Sequence, residues 1–218
     1  MQDASTLYLT QGSGNNFKPM LVCHQLGLKC NRIYIDVLAG ETRQQPFLDI
    51  NPQGVVPYLV LADGTGLGES NAIAWYLAEG SHLIPKSPIE RAQAIRWMNF
   101  EQTQLEPNIS PARFFTFILP ELEAVNKDMI PQWRERGNEG LKTLDAHLKN
   151  HEFITGRNYS VADIAVFGYT HLADEGGFQL SDFENVSAWI ERITSQVGYK
   201  SVYELLDGRD FKSNDRAA

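Results

Sequence analysis

Every stretch of this chain that reads as a β-strand lies before residue 81, and from residue 88 onward the apolar residues recur only at helical spacing. That asymmetry excludes a single uniform sheet or bundle. In the first part TLYLT reads as a strand, FKPMLVCHQLGL as a helix, NRIYIDVL as a strand and RQQPFLDI as a short helix. This βαβα pattern is followed by VVPYLVLADGTGLGES, where VPYLVL and a short run near Leu67 flank Asp63-Gly64, a hairpin signal. The helix NAIAWYLAEG closes the set. The linker SHLIPKSP, residues 81 to 88, interrupts the periodicity with Pro, Ser and His. Beyond it, ERAQAIRWMNFEQTQLE carries Ala94, Ile95, Met98 and Leu105 on one helical face, breaks near Pro107 and restarts through ARFFTFIL. Pro131 opens a further helix, and VADIAVFGYTHLAD, VSAWIERITSQV and KSVYELL complete the chain. The expected architecture is a small α/β domain over residues 1–82, followed by an all-helical domain over 88–208.

Composition narrows the partners. With 218 residues, 43% hydrophobic and 21% charged, the chain can bury a real core. Nineteen basic against 27 acidic residues leave a net charge of -8, which argues against nucleic-acid or anionic-membrane surfaces and favours small-molecule or protein partners. MQDASTLYLT lacks the basic start and apolar core of a signal peptide, so a cytoplasmic protein is expected. Two cysteines, Cys23 and Cys30, are too few for a disulfide framework or a zinc site, and seven residues apart they are not a CxxC pair. No metal is expected, and both thiols are expected reduced.

Three places invite chemistry. In GVVPYLV a proline inside a strand-like run forfeits a ladder hydrogen bond. Either it lies on an edge strand, or a cis Val56-Pro57 bond turns the chain so that the Val56 N–H and C=O can pair with an extended ligand. At Glu69-Ser70, Ser70 is a favoured helix cap and the first-turn amides attract a carboxylate, while Glu69 could take an ammonium. A ligand with both charges is an amino-acid end. In SVADIAVF, Ser160 and Asp163 have the spacing of a capping box, and Asp163 reads as a folding residue rather than an acid catalyst.

NPQGVVPYLVLADGTGLGESNAIAWYLAE and FITGRNYSVADIAVF together resemble the N-terminal signature and the C-terminal helix-capping segment of the glutathione S-transferase superfamily. The resemblance implies a thioredoxin-like N-terminal domain, an all-α C-terminal domain, glutathione bound as co-substrate at their junction, and a homodimer. It makes Val56, beside a cis Pro57, the backbone partner of the cysteinyl part of glutathione, and gives its γ-glutamyl end to Glu69 and Ser70. Arg113 is a candidate counter-charge for glutathione, with a surface salt bridge as its ordinary alternative. Phe114, Phe115 and Phe117 are a candidate apolar wall for the second substrate, or simply core.

The family's activating group lies in the loop after the first strand, here GSGNNFKP. The resemblance to serine-type members puts Ser13 there, with Asn15 one register shift away and Thr10 as a further rival. Asn15 or Asn16 is expected to cap the following helix, and Pro19 to sit early in it, where no N–H is needed. A hydroxyl donor and helix amides lower a thiol's pKa from about 8.5 toward neutrality. The implied activity is detoxifying transfer of glutathione to a small electrophile. Attack of the same thiolate on a disulfide or peroxide is the alternative, and a non-catalytic ligand carrier or interaction module is the reading of another class.

Overall fold

The computed structural model describes residues 5–206, which fall into two compact units. The first holds β1 (Thr6–Leu9), α1 (Gly14–Leu26), β2 (Asn31–Tyr34), α2 (Phe47–Ile50), β3 (Tyr58–Val60), β4 (Gly66–Leu67) and α3 (Ser70–Ala78). Its sheet runs β2-β1-β3-β4. The β1–β2 pair is parallel, from Thr6 opposite Asn31 to Leu9 opposite Tyr34, so the chain must cross over, and α1 is that crossover. β3 pairs antiparallel with both β1 and β4. This is the thioredoxin-like arrangement that the sequence resemblance implies.

Alternation along β1 turns Leu7 and Leu9 inward, where with Leu59 they meet Phe17 and Leu21 of α1 and Ile73 and Leu77 of α3 in one core. Burying each such side chain contributes about 1.5–3 kcal/mol. The β3–β4 hairpin closes with Gly64 at φ 86, where only glycine is unstrained, and Asp63 accepts the Thr65 N–H at 2.8 Å.

The second unit covers Gly80–Gln196 and is helical. It contains α4 (Pro88–Phe100), α5 (Glu106–Arg113), α6 (Ile130–Leu148), α7 (Val161–Thr170) and α8 (Glu184–Thr194). The expected break near Pro107 is absent. Residues 101–105 form a π-helical turn, in which the Glu106 N–H reaches back to the Glu101 carbonyl. That wider turn carries the chain past Pro107, whose ring would clash with the Thr103 carbonyl in a regular α-helix. A second π turn over 114–118 ends the run, with the Leu119 N–H on the Phe114 carbonyl. All ten residues of α7 are buried, which makes it the helix the others surround. Gly137 and Gly140 let α6 approach closely, because a side chain there would overlap the Phe178 ring or Leu105.

The expected span of the helical domain, 88 to 208, differs at its end. Residues 197–206 belong with the first unit, and residues 207 and 208 lie outside the described residues. There α9 (Val202–Leu205) packs on α1 and buries Val202, Leu205 and Leu206, and Arg32 donates to the Leu205 carbonyl at 3.5 Å. No helix among the described residues is long and apolar enough to cross a membrane.

Candidate functional site

The topology brings three loops to one end of the first unit's sheet. β1 leads out of that end into residues 10–13 and α1. The pairing of Tyr8 with Tyr58 sets Pro57 and Val56 level with Leu9 and Thr10. β4, antiparallel to β3, delivers Glu69 and Ser70 at the same end.

Ser13 is the N-cap of α1, in extended conformation at φ -86 and ψ 126. Its carbonyl accepts the Phe17 N–H at 3.0 Å, and its Oγ accepts the Asn16 N–H at 3.4 Å. The cap is therefore neither Asn15 nor Asn16, which lie one turn too far in. A hydroxyl has two lone pairs and one proton, so capping leaves the Ser13 O–H as a donor, and no described residue accepts it. Pro19 also differs from expectation. With α1 starting at Gly14 it sits inside the helix, where it removes the N–H that would donate to the Asn15 carbonyl.

Asn15 turns toward α3. Its Oδ1 accepts from Lys18 Nζ at 2.9 Å and from Ser70 Oγ at 3.1 Å, and Lys18 Nζ also reaches Ser70 Oγ at 3.4 Å. Since Lys18 can only donate, the Asn15 oxygen must face it. This triangle joins the starts of the two helices. Lys18 is wholly buried, a positive charge in the core that the sequence reading did not single out. The signal lay in FKPM, where a lysine interrupts an otherwise inward-facing run. Asn16 is also wholly buried, and neither amide atom of its side chain has a hydrogen-bond partner among the described residues. Such a group costs about 1–3 kcal/mol.

Glu69, not Ser70, occupies the cap position of α3, and no side chain caps that end. Ser70 is the first helical residue, its hydroxyl drawn into the triangle. Glu69 is exposed and has φ 64, the one positive φ among the described non-glycine residues. An L-residue pays about 1–2 kcal/mol for a left-handed backbone. Strain and an unsatisfied amide thus gather at one end of the sheet, where the α3 amides are left uncapped.

The Val56-Pro57 bond is cis, and β3, which follows it, lies between β1 and β4 rather than at the sheet's edge. Pro57 is buried and Val56 partly exposed, and no described residue bonds the Val56 N–H or C=O. Asn51 shapes the approach: its Nδ2 donates to the Val55 carbonyl at 2.8 Å and its Oδ1 accepts the Gln53 N–H at 3.2 Å. Gly54, at φ 63, must lack a side chain, since a Cβ would come within 2.6 Å of the Thr42 carbonyl.

Arg113 lies in the helical unit, 97% buried, with its Nε donating to Glu175 at 2.6 Å and its guanidinium over Phe117. Its ion pair with Glu175 is therefore a buried rather than a surface one. Phe114 and Phe115 meet edge to face at 5.1 Å, and Phe115 stacks on Trp133 at 5.8 Å. Phe114, Phe115 and Phe117 are only half-buried, so they are not plain core.

Ser160 and Asp163 form the capping box of α7. The carboxylate accepts from the Ile154 N–H, the Ser160 N–H and hydroxyl, and the Trp189 indole at 2.8–3.1 Å. Burial pushes Asp163 up to about 6 against the downward pull of those donors. Its lone pairs are committed to folding. No cluster of three or more His, Cys, Asp or Glu suited to a metal occurs among the described residues.

The chain matches the glutathione S-transferase N-terminal domain over residues 13–79 and the C-terminal domain over 105–196. It is 30% identical to glutathione S-transferase F10 of Arabidopsis thaliana, over 81% of this chain and 86% of that one. Elongation factor 1-gamma of Artemia salina is also 30% identical, over 98% of this chain, and this chain spans 48% of that relative's length. Among solved structures, a glutathione S-transferase from Pseudomonas fluorescens superposes with a TM-score of 0.87 at 38% identity, covering 91% of this chain and 98% of that one.

Proposed function

The chain belongs to the glutathione S-transferase family, and from that premise we propose that its first unit binds glutathione and ionises the thiol for transfer to a small electrophile. The observation that carries this reading is the Ser13 hydroxyl, which caps α1 with a lone pair and keeps its proton to donate. In this reading the Val56 N–H and C=O pair with the cysteinyl backbone. The uncapped amides of α3 take the γ-glutamyl carboxylate, and exposed Glu69 takes its ammonium. Lys18 is a positioning residue: it fixes Asn15 and Ser70 and adds positive potential near the thiolate.

Lowering a thiol from pKa about 8.5 to about 7 raises the ionised fraction at pH 7 from roughly 3% to roughly half, a change of about 2 kcal/mol. One charge-assisted hydrogen bond from Ser13 and the amides of a helix end supply that much. Asn15, whose oxygen is held by Lys18 and Ser70, is the lesser choice as activator. The half-buried aromatics at 114–117 suit an apolar electrophile. Reduction of disulfides or peroxides uses the same thiolate, and the protein acts as a cytoplasmic homodimer in this reading. The match to elongation factor 1-gamma along nearly the whole chain favours, as a second reading, a module that binds without turnover.

Titration with glutathione, followed by turnover assays with an activated chloroarene, a small disulfide and an organic peroxide, separates these. Binding with chloroarene turnover that falls in Ser13→Ala is expected. Binding without any turnover supports the second reading, and no binding at millimolar glutathione overturns both.

A further inference from the structure

The two cysteines, distant from any CxxC spacing, meet in space. Cys23 lies on α1, 3% exposed, and Cys30 lies half-buried just before β2. Gly27 ends α1 in the left-handed conformation at φ 65, and the Leu28 N–H folds back onto the Cys23 carbonyl at 2.8 Å. That reversal returns the chain so that the two sulfurs stand 3.7 Å apart, both as free thiols. A helix cap, rather than a short sequence spacing, makes this dithiol.

We propose that Cys23 and Cys30 form a second thiol–disulfide site, which reacts with glutathione disulfide and closes to an internal Cys23–Cys30 disulfide. Cys30 is the attacking sulfur: it is the more exposed, and Cys23 stands behind it to donate its S–H. That donation, helped by the Arg32 guanidinium, draws the Cys30 thiol down to about 7 against the effect of burial, while the same contact and burial push Cys23 up. The Cys30 thiolate attacks one sulfur of glutathione disulfide, forming a mixed disulfide and expelling one glutathione thiolate. Cys23 then attacks the Cys30 sulfur, the second glutathione leaves as the thiolate, and the Cys23 proton goes to it. Two protein thiols are oxidised and one glutathione disulfide is reduced to two glutathione molecules. The sulfurs need to close from 3.7 Å to about 2.05 Å, which side-chain rotation at half-buried Cys30 supplies. The site does not depend on the reading of Ser13, because none of its atoms belongs to that group.

The test incubates the full chain with glutathione disulfide, quenches in acid, and reads intact mass and digested peptides. The wild type is expected to lose two hydrogens and yield one Cys23–Cys30 linked peptide. Cys23→Ser is expected to stop with a glutathionyl group on Cys30, and Cys30→Ser to react at least about tenfold more slowly. A stable adduct on wild-type Cys30 with no internal disulfide would overturn the proposal, as would equal reactivity of Cys30→Ser. Closure by peroxide but not by glutathione disulfide would overturn the assigned oxidant. Should Cys23→Ser fail to fold, iodoacetamide alkylation of wild-type Cys30 decides: a pH midpoint near 7 supports the dithiol, and one at the ordinary value of about 8.5 contradicts it.

Discussion

The helix starts at α7 and α3 each pair a serine with a nearby acidic residue, and they are built in opposite ways. At α7, Ser160 and Asp163 are buried and every donor they face is satisfied. At α3, Glu69 is strained and exposed, no side chain caps the helix, and the Ser70 hydroxyl is turned aside to Asn15 and Lys18. A motif that closes on itself holds the fold. One left open at a cost to stability is suited to a ligand.

The contrast breaks first at Asp163. Asp163→Ala leaves the Ile154 N–H, the Ser160 N–H and the Trp189 indole without their acceptor, and a loss of about 3–5 kcal/mol is expected in denaturant unfolding. Glutathione binding per folded molecule should not change.

His171 tests the same fold-holding unit through pH. Burial holds its imidazole down to about 3, so between pH 6.5 and 3 the unfolded chain takes a proton that the native state refuses. Stability is therefore fully present above pH 6.5 and lost as the pH falls, by up to about 5 kcal/mol. His171→Leu is expected to flatten that acid limb relative to wild type in pH-dependent melting. The Asp163 shift has the opposite sign, costing stability as pH rises from about 4 to about 6, and it is common to both proteins.

The open region should respond in binding rather than stability. Lys18→Met keeps the volume and removes a buried charge, so the melting temperature should hold or rise, while glutathione affinity falls about tenfold, or about 1.4 kcal/mol. Glu69→Gly relieves the positive φ and should gain about 0.5–1 kcal/mol of stability, with weaker glutathione binding by calorimetry. A stability loss in either variant would place these residues with Asp163 as fold-holding.

The order of elements, the hairpin and the α7 capping box were legible in the sequence because each rests on local chemistry: periodicity, Asp63-Gly64, and Ser160 three residues before Asp163. Positions fixed by tertiary contact were not. The helix cap fell to Ser13 instead of Asn15 or Asn16 because α1 starts earlier than its apolar pattern. Arg113 found Glu175 62 residues away in sequence. Lys18 and the dithiol were hidden because their partners come from another helix or across a chain reversal. The π turn at 101–105 has no periodic signature of its own, so Pro107 reads as a break.

The central claim is that Ser13 donates its hydrogen bond to a glutathione thiolate. Its most direct test is the thiolate absorbance of bound glutathione as a function of pH, in wild type and in Ser13→Ala. The wild type should titrate near pH 7, and the variant should return toward about 8.5 while losing only about 0.5–2 kcal/mol of stability from the cap. Equal titration midpoints in the two proteins would contradict the account.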